Sequence, residues 1–214
     1  MKIPFTTEQF FEIIEKYNVA LFPSQLVIIL LGILSVILLH SSKNYKNKFI
    51  GSFLGFLWIW IGIAYHLVFF TAINKAAYAF GALFILQGLF FIFETYSRRK
   101  LEFKFNSNVT DFIAYFFLIF GLAIYPILIY FLENSLETTI ALGLPCPSTI
   151  MTFGFLMLTT RKFPKYLLII PALWTIVGTS AAINFDVYPD FLMVISAIVA
   201  IIYLVIRKKD KLSN

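Results

Sequence analysis

Residues 49–70 read FIGSFLGFLWIWIGIAYHLVFF, a run without a single Asp, Glu, Lys or Arg. A helix crossing a bilayer needs about 20 mainly apolar residues, since each advances about 1.5 Å through a hydrocarbon layer about 30 Å thick. This run is long enough by itself. Six others join it, at 20–40, 77–95, 110–132, 141–160, 166–183 and 189–206. The expected fold class is all-α, a polytopic membrane protein with seven transmembrane helices.

Composition points the same way. Of the 214 residues, 60% are hydrophobic and 13% charged, against roughly 45–50% and about 25% in soluble domains. A soluble fold of this size has too little interior for so much apolar surface. The linkers leave no room for a separate soluble domain, so 1–214 is expected to be one integral membrane domain. The single cysteine excludes an internal disulfide. The start of the chain lacks a signal peptide's basic region and apolar core and carries Glu8, Glu12 and Glu15 instead. No cleavage is expected there.

The net charge of +6 matters through its placement. Lys43, Lys46 and Lys48 follow the first span. Arg98, Arg99, Lys100 and Lys104 follow the third, Arg161, Lys162 and Lys165 the fifth, and Arg207, Lys208, Lys209 and Lys211 the seventh. Thus 14 of the 17 basic residues fall on one side, leaving Lys2, Lys16 and Lys75 on the other. Basic loops stay in the cytoplasm, which predicts the N-terminus out and the C-terminus in. The opposite side carries Glu133, Glu137, Asp186 and Asp190. Glu94 and Asp111, at cytoplasmic helix ends, are expected to pair with Arg98 and Arg99.

Residues 1–19 form the expected outer amphipathic helix, its helical part at 5–17. Thr6 with Gln9 fits a capping box. Phe10, Ile13, Ile14 and Tyr17 recur at helical spacing. The simplest role is to lie on the outer membrane interface. The rival is a lid over an outward-facing cavity.

An internal repeat is also legible. Leu57-Trp58 with Gly62 and Leu173-Trp174 with Gly178 both read L-W-x-x-x-G. Pro23-Ser24 and Pro147-Ser148 open the first and fifth spans, with Gly32 and Gly154 further on. Ala72-Ile73-Asn74 and Ala182-Ile183-Asn184 end the second and sixth. These matches suggest two parallel three-helix units, 20–95 and 141–206, joined by a linker helix at 110–132. The 3+1+3 layout resembles the SWEET and PQ-loop transporters, whose Pro-Gln pair is replaced here by Pro23-Ser24-Gln25. That resemblance implies transport by rocking one unit against the other around a central site.

Polar side chains in apolar spans usually face the bundle interior. His66, Tyr65, Gln87, Asn74, Asn184, Cys146 and Thr149 share the outer half of their spans. They are the expected lining of one outward-facing polar pocket, with Trp58 and Trp174 as its walls. Blander roles stand beside these: a neutral His66 bonded to a carbonyl, Gln87 bridging helices, Cys146 as a small hydrophobe. In GLPCPSTIM, 143–151, Cys146 is expected to be extended between Pro145 and Pro147, with regular helix from about Pro147. Cys146, His66 and Met151 have the ligand types for a soft metal but lack paired-cysteine spacing, so no metal and no cofactor is expected. No H-E-x-x-H, G-x-S-x-G or phosphate loop is present. Paired intramembrane carboxylates and a retinal-binding lysine in the seventh span are missing too.

The stretches LWIWIGIAYHLVFF (57–70), FGALFILQGL (80–89) and GLPCPSTIMTFG (143–154), with the opening PFTTEQFFEIIEKYN, resemble an uncharacterised family of bacterial multi-pass membrane proteins, a domain of unknown function. The resemblance implies a bacterial inner-membrane protein and supplies no substrate and no catalytic residue. The functional expectation is a transporter or binder of a small solute. A sensor or accessory subunit acting through helix contacts is the alternative, and a lipid-modifying enzyme with His66 as base the third. Expected partners are the lipid bilayer, a small-molecule solute and a second copy of the chain; no nucleic acid is expected.

Overall fold

The computed structural model describes residues 4–43, 45–99, 101–160 and 164–209, and the side chains of all of these except 181 and 205–209. Lys2, Lys100, Arg161, Lys162 and Lys211, and the side chains of Arg207, Lys208 and Lys209, lie outside the described residues. Eight helices and no strand make up the described chain. Helix α1 spans Thr7–Leu21 and α2 Ser24–Leu39. Then come α3 (Tyr45–Ala72), α4 (Ala77–Arg98) and α5 (Val109–Glu133). The last three are α6 (Pro145–Met157), α7 (Lys165–Asn184) and α8 (Phe191–Lys209).

Four of the predicted spans are present as helices long and apolar enough to cross a membrane: α3, α4, α5 and α7, of 28, 22, 25 and 20 residues. Helices α1 and α2 meet at 87° and reach that standard only as a bent pair. The turn at Phe22 and Pro23 assigns residues 20–21 to α1, not to the span predicted at 20–40. Before α8, a tight turn at Tyr188–Asp190 leads into an apolar stretch ending at Leu204.

The largest departure is α6. A span was expected over 141–160, but the helix has 13 residues, or about 20 Å of length. Gly143 adopts φ +103° and Leu144 is extended, so helix cannot begin earlier than Pro145. Twelve of the 13 residues are buried, because α5, α7 and α8 pack around it. A helix that is apolar all round belongs in an interior. Here α6 is the axis of the fold.

The outer helices invert the pattern of a soluble protein. Leu26, Leu30, Ile33 and Ile37 of α2 recur every three or four residues and are exposed. So do Ile169, Leu173 and Ile176 of α7, and Ile195, Ile198 and Ile202 of α8. Continuous apolar stripes facing outward call for an apolar surrounding.

Small residues set the closest helix contacts. A Cβ on Gly88 would lie 2.6 Å from the Gly55 carbonyl oxygen, and one on Gly62 would lie 2.9 Å from that of Gly81. Only glycine lets α3 and α4 approach so closely. Within α3, nine residues, Ile61–Phe69, form a π-helical stretch. A second, Phe120–Ile124 in α5, precedes Pro126, whose missing N–H removes a helical bond there.

The two proposed halves pack differently. Helix α3 takes the main contacts of both α2 and α4, whereas in the second half the first and third helices, α6 and α8, are the principal pair. Several helix ends gather at one pole. Asn47 Oδ1 accepts from the Phe103 amide at 2.9 Å, and the Lys104 amide donates to Leu158 O at 2.9 Å. Tyr166 donates to Glu94 there. These ends carry Lys43, Lys46, Lys48, Arg98, Arg99, Lys104 and Lys165. Glu94 lies 3.9 Å from the Arg98 guanidinium, as expected. Asp111 instead accepts from the Asn106 amide, while Asn108 Oδ1 caps α5 by accepting from the Asp111 amide at 2.9 Å.

Candidate functional site

At the opposite pole, α1 lies across the mouth of a cavity of about 830 Å³. The capping box places the helix: Thr6 Oγ1 accepts from the Gln9 amide at 3.3 Å, and Gln9 Oε1 from the Thr6 amide at 3.0 Å. Ile13, Ile14 and Tyr17 are buried. The apolar face therefore packs on protein, and Phe10 and Ile14 form part of the cavity wall. Phe5 and Phe10 pack on Phe185, with ring centroids 5.3 and 4.9 Å away, and Phe5 meets Phe70 at 5.4 Å.

The far end of α1 is fastened by polar contacts. Tyr17 donates its hydroxyl to Gly143 O at 2.9 Å and accepts from Trp60 Nε1 at 2.7 Å. Asn18 Nδ2 donates to Glu137 O and Thr139 O at 2.7 and 2.9 Å. One end is thus hydrogen-bonded, while Phe5 and Phe10 at the other make ring contacts with Phe185 and Phe70.

Five of the expected site residues line this cavity: Tyr65, Asn74, Cys146, Trp174 and Asn184. The cavity is mainly apolar rather than polar, since aromatic, aliphatic and proline side chains make up most of its wall. Its amides are engaged locally: Asn74 Oδ1 accepts from the Ala76 amide at 3.0 Å, and Asn184 Nδ2 donates to Ser180 O at 2.6 Å.

The other four expected residues lie elsewhere. Trp58 is fully buried and donates to Thr152 Oγ1 at 3.0 Å. Thr149 donates to Pro145 O at 2.8 Å within α6. Gln87 bridges helices, its Nε2 donating to Leu167 O at 3.0 Å. His66 sits behind the cavity wall, fully buried, its ring 4.6 Å from Phe84 and 5.1 Å from Trp174. Neither of its nitrogens has a hydrogen-bond partner, so the carbonyl bond expected for a neutral histidine is not made. Among the described residues no group of three or more His, Cys, Asp or Glu side chains is placed to hold a metal ion.

Cys146 is helical, not extended. Both Pro145 and Pro147 fall in the first turn of α6, where an amide donor would be unpaired in any case. The Cys146 thiol stands near Asp190, Tyr125 and Trp174. Trp174 Nε1 is buried without a hydrogen-bond partner among the described residues. Tyr125 donates its hydroxyl to Asp190, and both are buried. Sequence reasoning missed this pair. Asp190 reads as an exposed loop acid, and its partner lies 65 positions away.

No curated protein and no solved structure matches the chain. Its sequence does match a family profile over residues 7–213, and the chain belongs to that family, a family of unknown function, DUF6064.

Proposed function

We propose that this chain is a multi-pass protein of the bacterial inner membrane that binds a small, mostly apolar molecule in the cavity beneath α1. The reading takes all seven apolar segments as crossings, the N-terminus and α1 outside and the C-terminus inside. Support comes from the outward apolar stripes of α2, α7 and α8 and from the basic residues gathered at the pole opposite α1. The observation that carries the reading is the cavity itself. Its volume of about 830 Å³ is in the range of small-molecule sites, which are mostly apolar with few polar groups. Trp174 Nε1 is the donor that would orient a ligand's acceptor atom. A sugar or amino acid would leave its own polar groups unmatched here. Transport, by motion of 20–95 against 141–206, is the wider form of the proposal.

The test is thermal stability of the purified protein in detergent against fatty acids, isoprenoid alcohols, quinones, sugars and amino acids. A ligand binding only the folded state stabilises by about 2.7 kcal/mol at a hundredfold excess over its Kd. An apolar ligand should raise the melting temperature in the wild type, and Trp174→Phe should weaken that response. Stabilisation by polar solutes alone would overturn the reading.

A further inference from the structure

The stripe of exposed side chains on α7 does not end at Ile176. Ile169, Leu173, Ile176, Ser180 and Ile183 follow one another at steps of four and three, so they share one face of the helix. All five are exposed, and Ile176 and Ile183 keep 72% and 64% of their surface open. The last three of the five also line the cavity beneath α1. The face that meets an apolar surrounding toward the basic pole is therefore a wall of the cavity toward the other pole. A cavity closed all round buries its lining. This one is open along α7.

The opposite edge of the opening is α4. Toward the basic pole the two helices are held together. Gln87 Nε2 donates to Leu167 O at 3.0 Å, and Phe84 and Phe80 pack on Trp174 with ring centroids 5.1 and 5.5 Å away. Phe80 lines the cavity, as do Asn74 and Ala76 in the turn before α4. Beyond Phe80, no hydrogen bond or ring contact joins this end of α4 to α7 among the described residues. Elsewhere the cavity is covered by α1, with Phe5 and Phe10 packed against Phe185. The lining indicates what occupies it. No Asp, Glu, Lys or Arg belongs to it among the described residues. Asn74 Oδ1 and Asn184 Nδ2 are engaged locally, which leaves Asn74 Nδ2 as a donor and Asn184 Oδ1 as an acceptor for an uncharged polar group.

We infer that the cavity opens sideways, between α4 and α7, and takes an uncharged long-chain lipid directly from the outer leaflet. The inference rests on the membrane-spanning cavity reading above and names the class and the source of its ligand. The chain passes Ile176 and Ile183 into the cavity without leaving apolar surroundings. The polar head stays at the level of Asn74 and Asn184. A charged head meets no opposite charge on this wall and is disfavoured. A solute arriving from water has to pass α1 instead.

The test uses the full chain in phosphatidylcholine–phosphatidylglycerol vesicles. Cys146 is the reporter, since it lines the cavity and is the chain's only cysteine. Two reagents compete for it: N-hexadecylmaleimide, which resides in the bilayer, and a sulfonated maleimide, which stays in water. Ile176→Trp narrows the side opening and should slow labelling by the hexadecyl reagent several-fold, leaving the sulfonated reagent unchanged. Ile183→Trp should do the same and stands in if the first variant fails to fold. Ile169→Trp, on the same stripe but outside the cavity, should change neither rate. Phe10→Ala should speed the sulfonated reagent alone. Monooleoylglycerol added to the vesicles should slow both reagents in the wild type. Hexadecyl labelling that follows Phe10 and ignores Ile176 and Ile183 would overturn the inference, as would a lack of protection by monooleoylglycerol. The melting experiment above separates the two levels. Apolar ligands that stabilise the protein in detergent, with no effect of the α7 variants in vesicles, sink the sideways route alone. Failure of both experiments sinks the cavity reading as well.

Discussion

The hydroxyl of Tyr17 links three segments of the chain: it accepts from Trp60 Nε1 at 2.7 Å and donates to Gly143 O at 2.9 Å. It joins α1 to α3 and to the turn that precedes α6. That turn is the reason α6 starts late, so the lid and the central helix share one anchor. Tyr17→Phe keeps the ring and removes both bonds. An unpaired buried donor costs about 1–3 kcal/mol. The variant should melt at a lower temperature, and amide exchange should quicken over 7–21 more than over α6. Unchanged exchange in α1 would show that the hydroxyl does not hold the lid.

The lid can be watched through Cys146, the one cysteine in the chain. It lines the cavity under α1. Phe10→Ala removes the ring that stacks on Phe185 at 4.9 Å and leaves the Tyr17 and Asn18 bonds in place. Maleimide labelling of Cys146 in folded protein should be several-fold faster than in the wild type. A cavity ligand should slow it in both. Equal labelling rates would mean that α1 does not control entry.

Glycine positions divide into those facing backbone and those facing a flexible side chain. A Cβ on Gly88 meets the Gly55 carbonyl oxygen at 2.6 Å, and a backbone atom cannot move without shifting a helix. A Cβ on Gly178 meets the end of the Met193 side chain, which can rotate away. Gly88→Ala should therefore cost about 1–3 kcal/mol or more and lower the yield of monodisperse protein. Gly178→Ala should be close to neutral. Comparable losses in the two would contradict the close approach of α3 and α4.

How much of this was legible in the sequence depends on whether a feature is local. Each of the seven apolar segments contains a helix, and four of those helices are long and apolar enough to cross a membrane, since hydropathy reads the surroundings of a run residue by residue. The capping box at Thr6 and Gln9 placed the start of α1. The shortness of α6 was hidden, because it follows from the φ of Gly143 and from helices packed on every side, and neither leaves a mark in hydropathy. The spacing of Phe10, Ile13, Ile14 and Tyr17 showed an amphipathic helix but not what its apolar face covers. Of the cavity lining, Tyr65, Asn74, Cys146 and Asn184 were legible as polar groups in apolar spans, and Trp174 as a wall through the L-W-x-x-x-G match. Asp190 was missed for the opposite reason, since a charged residue beside a proline reads as an exposed turn. The Gly55–Gly88 contact had a signal in Gly51-x-x-x-Gly55, a small-residue spacing that marks close helix packing.

The Tyr125–Asp190 pair gives the sharpest test of how the second half is held together. Asp190 stands at the entrance to α8 and is buried, with the Tyr125 hydroxyl of α5 donating to it and Cys146 of α6 nearby. Tyr125→Phe removes the hydroxyl and leaves the Cys146 thiol, a weak donor. A hydrogen bond to a charged group contributes about 1.5–3 kcal/mol, so the loss should be of that size if Asp190 is ionised. Asp190→Asn keeps an acceptor oxygen for Tyr125 and removes the buried charge, so it should be much milder. Stability of Tyr125→Phe, Asp190→Asn and the double variant should then be strongly non-additive, as expected for two groups in one contact. Additive losses would show that the tyrosine and the aspartate act on the fold separately, and that Asp190 is satisfied by Cys146 alone.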